Sequence, residues 1–259
     1  MNLWIADIDG VFTDFLAKPN SKAILLSTQL GMKCPFSYIT GRSVGWLQGN
    51  FLSILSVAFE RFKPSHAIIG AEYGGVLFHF ENGRWVEKHK TESPISAELR
   101  QEIQTAIEKI PGVFFDSSKE IMISVEAEHS MREEQHEIVE KGLADAELIL
   151  KKAAVSSAQL EYQRTTYACD LVPRGLNKEY GARLVKRAIG FQPSHVHLLG
   201  DAPSDLLLVH AVRDLPYTMH YVGDQSKLTD EQRERYVLEF SRQKYDLGTI
   251  ETLRAAVDE

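Results

Sequence analysis

The residues best suited to chemistry stand at the very start of the chain. Ile5-Ala6-Asp7-Ile8-Asp9-Gly10 carries an apolar run into two aspartates spaced i, i+2 and then a glycine. On an extended strand residues two apart share a side, so the carboxylates would repel each other unless a cation or a shared proton intervened. Taken alone, the motif also reads as a solvated strand-to-turn junction. A second acidic cluster follows far downstream, where the apolar run Val196–Leu199 ends in Gly200-Asp201-Ala202-Pro203-Ser204-Asp205. Read singly, Asp205 complements a helix dipole. If the two runs are neighbouring strands of one parallel sheet, however, Asp7, Asp9 and Asp201 meet at one edge, where open α/β sheets build ligand sites. Three anions there call for a hard divalent cation. Oxygen-only ligation suits Mg2+, which keeps waters and accepts a phosphate oxygen.

A phosphate beside such a cation needs donors, and two further segments supply them. The run Phe36–Ile39 ends in Thr40-Gly41-Arg42, offering a hydroxyl and backbone N–H groups ahead of a helix. Lys178 opens a helical segment after Asp170-Leu171-Val172-Pro173-Arg174-Gly175-Leu176-Asn177. A lysine in a first turn opposes the helix dipole, so an anion or carboxylate is its expected partner. Singly, Thr40 reads as a turn residue and Lys178 as a solvated charge. Their joint occurrence carries the weight.

The elements that must position these groups are legible as alternating patterns. Leu3–Ile8, Phe36–Ile39, Ala67–Ala71, Val196–Leu199 and Tyr217–Val222 are nearly continuous apolar runs, as strands covered on both faces must be. Helix-period segments lie between them, among them Lys178–Ile189 and Ser204–Arg213, the latter with Ser204 as its expected cap. The pattern predicts an α/β fold, a doubly wound and mostly parallel sheet. The middle of the chain differs. A helical stripe over Ile95–Ile110 precedes strand-like runs at Val113–Phe115 and Ile121–Glu126. An amphipathic helix from about Met131 to Ala153 follows, and then Gln159–Thr165 and Thr166–Val172. Helix, two strands, helix, two strands predicts an inserted α+β domain over 85–167, with the core formed by 1–84 and 168–259. Gly83 closes a turn in Glu81-Asn82-Gly83-Arg84.

Composition sets the class. The 259 residues carry a formal net charge of −7, which offers no general attraction to polyanions, so nucleic acid is not expected as a partner. Cys34 and Cys169 are too few and too far apart for a disulfide framework or a thiolate metal site, and suit a reducing cytosol. The N-terminus lacks the basic region of a signal peptide. No run approaches the ~18 apolar residues of a membrane span. A cytoplasmic protein with no membrane partner is expected. Histidines 129, 136, 195 and 197 read as surface or strand-edge residues, and Glu133, Glu134, Glu137 and Glu140 as a solvated helix face. Arg42 is expected to pair with an acid, with reach to a substrate as the alternative. Glu72 and Tyr73 read either as substrate contacts or as residues with a packing or hinge role. Lys119, Glu126 and Glu128 are candidates for reading a leaving group.

In order and placement, Asp7-Ile8-Asp9-Gly10, Thr40, Lys178 and Gly200-Asp201 through Asp205 resemble the four motifs of the haloacid dehalogenase superfamily. The long gap between Thr40 and Lys178 resembles that family's placement of a C2B-type cap, inserted in a Rossmann-like core. Asp170–Lys178 is similar to the cap-exit segment of sucrose-phosphate phosphatases, and Gly70-Ala71-Glu72-Tyr73-Gly74 to the cap-entry segment of trehalose-phosphate phosphatases. The resemblance implies a Mg2+-dependent phosphatase acting on a sugar phosphate or similar small phosphorylated metabolite. It implies Asp7 as nucleophile, Asp9 as general acid and base, and Thr40, the Gly41 N–H and Lys178 as phosphoryl donors. It implies Mg2+ held by Asp7, the Asp9 carbonyl and Asp201, with Asp205 acting through water or Lys178. A phosphomannomutase-like transferase and a non-catalytic binding protein are the alternatives. Val11 departs from the frequent Thr of the first motif, and Ser204 from the frequent Asn before the last Asp.

Overall fold

The computed structural model describes every residue but 15, 63, 65, 129–135, 166 and 259. Two units result, one of residues 1–42, 46–90 and 177–259 and one of residues 43–45 and 91–176. The chain begins with β1 (Asn2–Ala6), α1 (Ser21–Leu30), β2 (Phe36–Ile39), α2 (Val44–Trp46), a π-helical turn (Leu47–Phe51), α3 (Leu52–Phe62) and β3 (Ala67–Ala71). β4 (Val76–Glu81) and β5 (Arg84–Lys90) form a hairpin through Asn82 and Gly83. Both turn residues have positive φ, 52° and 80°, as a two-residue hairpin requires. Then come α4 (Ala97–Ile107), β6 (Val113–Phe115), β7 (Ile123–Ala127), α5 (His136–Val155), β8 (Leu160–Arg164) and β9 (Ala168–Pro173). The chain closes with α6 (Lys178–Ala188), β10 (His195–Gly200), α7 (Leu207–His210), β11 (Tyr217–Tyr221), α8 (Asp230–Arg235), β12 (Leu238–Phe240) and α9 (Tyr245–Asp258).

The first unit is built on an eight-stranded sheet ordered β12-β11-β10-β1-β2-β3-β4-β5, parallel from β12 to β3 and antiparallel at the hairpin edge. Strand order runs outward from β1 in both directions. The crevice beside β1 and β10 is therefore the topological switch point of a doubly wound sheet. Alternation along each strand divides the core in two. Leu3, Ile5, Val196, Leu198 and Met219 pack with Ala182, Val185, Leu208 and Val209 of α6 and α7. On the other face Phe12, Tyr38 and Phe51 form an edge-to-face cluster at 5.3–6.2 Å, and Tyr38 hydrogen-bonds Ser27 of α1 at 2.7 Å. That face also carries the strand histidines as packing residues. His197 stacks on Trp4 at 4.4 Å, and burial pulls its imidazole down to about 4.

In the second unit an antiparallel sheet ordered β6-β7-β9-β8 takes both helices on one face. Ile123, Val125, Cys169 and Leu171 pack with Ile103 and Ile107 of α4 and Leu143, Ala146 and Leu150 of α5. The helix-strand-strand-helix-strand-strand order is the one the sequence predicts.

Several details differ from expectation. β1 stops at Ala6 rather than Ile8, because the chain leaves the sheet at Asp7. The first compact unit runs to residue 90 and resumes at 177, with β5 paired to β4, while β9 lies between β7 and β8 in the second unit. The helix expected from Met131 begins, among the described residues, at His136; His129, Met131, Glu133 and Glu134 lie outside those residues, as does Thr166. Ser204 does not cap; a short 3-10 turn (Pro203–Leu206) precedes α7 there. Among the described residues no helix is long and apolar enough to cross a membrane.

Candidate active site

β1 ends beside β10 in the register Ala6 to Leu199, and a last ladder bond runs from the Asp7 N–H to the Leu199 carbonyl at 2.9 Å. The Ile8 carbonyl then accepts from the N–H groups of Val11 (3.3 Å) and Phe12 (2.8 Å), which curls the chain into a turn. Asp7 and Asp9 consequently do not share a strand side, as their spacing suggested. Asp7 is buried against Lys178, while Asp9 reaches Arg42. Gly10 closes the turn at φ +68°, and a Cβ there would lie 2.3 Å from Oδ2 of Asp201. Only glycine fits that position, and its bareness lets the second acidic cluster approach the first.

Asp201 follows the last residue of β10, and one carboxylate oxygen from each of Asp7, Asp201 and Asp205 lies within 4.8 Å of the others. Asp205 is fully buried. Its Oδ2 accepts from the N–H groups of Asp201 (2.8 Å) and Ala202 (2.9 Å), and its Oδ1 takes the Lys178 ammonium. Asp205 thus reaches back to the N–H of Ala202, the residue that precedes the 3-10 turn. Lys178 Nζ also stands 2.9 Å from Asp7 Oδ1. Two local features hold it there. Asn177 caps α6 by accepting from the Tyr180 N–H, and Gly181 packs so tightly that a Cβ on Gly74 would lie 2.4 Å from its Cα.

The electrostatics follow from two buried carboxylates, Asp7 and Asp205, and the half-buried Asp201 facing one ammonium. Burial drives the Asp7 carboxyl well above the usual range; Lys178 opposes this, and Asp205, Asp9 and Asp201 add to it. Burial and then Asp205 push Asp201 up to about 7. For Lys178, burial favours the neutral amine, but Asp205 and Asp7 override it and hold the ammonium charged beyond the ordinary range. With all three carboxylates ionised the cluster would carry two negative charges in excess, which one divalent cation would match. The donors fit such an ion: all are oxygens, and with both Asp205 oxygens engaged, Asp7 and Asp201 would supply the direct ligands.

Thr40 extends β2 through its N–H to the Gly70 carbonyl (2.9 Å); its Oγ1 accepts from the Arg42 N–H (3.0 Å) and donates to Asp9 Oδ2 (3.3 Å). Glu72 and Tyr73 clamp this loop, their N–H groups donating to the carbonyls of Arg42 (3.0 Å) and Thr40 (2.7 Å). Both sit in the left-handed region, at φ 47° and 59°. Such positions cost on the order of 1 kcal/mol or more each and persist only where the surroundings hold them. The Tyr73 ring lies against Gly41, where a Cβ would come within 3.0 Å of its hydroxyl. In the structure Glu72 and Tyr73 pack against the Thr40–Arg42 loop.

No family model and no curated protein matches the sequence. Solved structures do match. The C-terminal domain of C. albicans trehalose-6-phosphate phosphatase aligns at TM-score 0.69 and 18% identity over 99% of this chain and 92% of its own. A haloacid dehalogenase-like hydrolase from Bacteroides thetaiotaomicron aligns at TM-score 0.67 and 12% identity over 98% of both chains. Aspergillus fumigatus trehalose-6-phosphate phosphatase aligns at TM-score 0.58 and 16% identity over 100% of this chain and 93% of its own. The chain has the haloacid dehalogenase-like fold. Within that fold the site residues expected from sequence form two linked groups, Asp7, Lys178, Asp201 and Asp205 in one and Asp9 with Thr40 in the other. Lys119, Glu126 and Glu128 belong to the second unit, where Lys119 lies 3.9 Å from Asp116. Sequence reasoning expected Arg42 to pair with an acid without naming Asp9 as that acid, and missed that Gly10 and Gly200 are contact points of Asp201 and Asp205. The one available signal was the glycine beside each aspartate.

Proposed function

We propose that the chain is a Mg2+-dependent phosphoric monoester hydrolase acting on the phosphate of a sugar or similar small metabolite. The observation that carries the reading is the cluster of buried Asp7 and Asp205 with half-buried Asp201, set against Lys178 at the switch point. In this reading an Asp7 oxygen bonds to phosphorus as the ester P–O bond breaks, and the proton on Asp9 passes to the leaving oxygen. A water oxygen then bonds to phosphorus and gives its proton to Asp9, while the bond from Asp7 to phosphorus breaks. Lys178, the Thr40 hydroxyl and the Gly41 N–H hold the phosphoryl oxygens, where charge gathers in the transition state. Mg2+, held by Asp7, Asp201 and the Asp9 carbonyl with Asp205 behind them, would neutralise charge on the phosphoryl group and the carboxylates. The sugar phosphate as substrate class is supported by the trehalose-6-phosphate phosphatases among the similar structures.

Phosphate release from trehalose 6-phosphate, glucose 6-phosphate and a wider sugar-phosphate panel tests this, with Mg2+ and with chelator. Asp7→Asn keeps the shape and removes the nucleophile, so activity should fall by about 10³-fold or more. Equal phosphate release by the parent and Asp7→Asn would remove the mechanism.

A further inference from the structure

We infer that Arg42 is a positioning residue for Asp9, backed by Trp46; the inference rests on the hydrolase reading above. The two aspartates of the first motif are held by different cations, Lys178 at Asp7 and Arg42 at Asp9. The Asp9 side chain is 39% exposed and hangs from a turn, so packing alone leaves its carboxylate rotamers open. The guanidinium fork closes them. Oδ1 accepts from Arg42 Nε at 2.9 Å and Nη2 at 2.8 Å, and Nε also reaches Oδ2 at 3.2 Å. Thr40 Oγ1 meets Oδ2 from its own side at 3.3 Å. A fork sets the plane of a carboxylate as well as its position, which a point charge cannot do.

The fork is itself anchored. The Arg42 N–H donates to Thr40 Oγ1, its carbonyl accepts from Glu72, and its guanidinium carbon lies 4.9 Å from the centroid of the Trp46 ring. With Nε and Nη2 committed to Asp9, the fork fixes the plane and position of the carboxyl group that exchanges the proton with the leaving oxygen. What Arg42 contributes is the direction along which the proton travels, and direction matters most when the leaving oxygen needs a proton.

The dependence on leaving group is the test. p-Nitrophenyl phosphate departs with little protonation, phenyl phosphate needs more, and trehalose 6-phosphate, an alkyl ester, needs the most. In Arg42→Gln, kcat for trehalose 6-phosphate should fall by roughly 10²-fold, and the loss for p-nitrophenyl phosphate should be smaller by at least about tenfold, with phenyl phosphate between. KM should move far less than kcat. Arg42→Lys keeps the charge and the folded state but lacks the fork, so the same graded pattern is expected of it. Equal losses on all three esters, or full rescue by Arg42→Lys, would overturn the inference while leaving the hydrolase reading intact. A parent protein inert to every ester overturns the hydrolase reading, and this inference falls with it.

Discussion

Gly10→Ala isolates the contact that brings the two acidic segments together. The substitution adds a Cβ at φ +68°, 2.3 Å from Oδ2 and 2.5 Å from Cγ of Asp201. Left-handed backbone costs an alanine about 1–2 kcal/mol, and the loss of unfolded-state freedom returns about 0.4–1 kcal/mol. Overlap with a half-buried carboxylate that must shift adds about 1–3 kcal/mol. A net destabilisation of roughly 2–4 kcal/mol is therefore expected. Gly190 supplies the control, because it has φ +73° with nothing within 4 Å of its would-be Cβ. Gly190→Ala should cost only about 1 kcal/mol or less. Urea unfolding of both variants measures the difference, and a Mg2+ titration followed by melting temperature measures the consequence. Pushing Asp201 aside should weaken the Mg2+ response of Gly10→Ala and leave that of Gly190→Ala at the parent level. If the two variants lost the same stability and responded equally to Mg2+, the close approach of Gly10 and Asp201 would not be what organises the site.

Other outcomes follow from the buried charges. Lys178→Met keeps the volume and strands Asp7 and Asp205 without their cation, so it should cost about 3–5 kcal/mol in metal-free urea unfolding; a loss below about 1 kcal/mol contradicts the ion-pair geometry. The metal-free protein should lose stability as pH rises, because Asp201, pushed up to about 7, keeps in the folded state a proton that the unfolded chain has already released. That contribution is full below about pH 4 and is lost as pH passes through about 7. Mg2+ displaces the same protons, so its thermal stabilisation should be larger at about pH 8 than at about pH 5.5; equal shifts at both would refute the assignment.

How much of this was legible depended on the range of the physics involved. β2 and β3 were readable to the residue, because strands buried on both faces leave unbroken apolar runs. The β4–β5 hairpin was visible only as a Gly83 turn, since β5 faces solvent over much of its length and its charged sequence hides the strand. β12, three largely exposed residues at the sheet edge, left no pattern at all.

The sequence by itself determined that acidic, hydroxyl and lysine groups stand at the ends of apolar strands and the start of a helix. Strand and helix periodicity are local properties of the backbone, and the chain records them directly. Tertiary structure alone decided which cation each carboxylate received: Lys178 for Asp7 and Asp205, Arg42 for Asp9. It also decided that Asp205 turns back onto the N–H groups of Asp201 and Ala202. Those choices rest on strand register and on approaches as close as that of Gly10 to Asp201. Partners far apart in sequence compete for the same charge, and only their placement in space selects the pair.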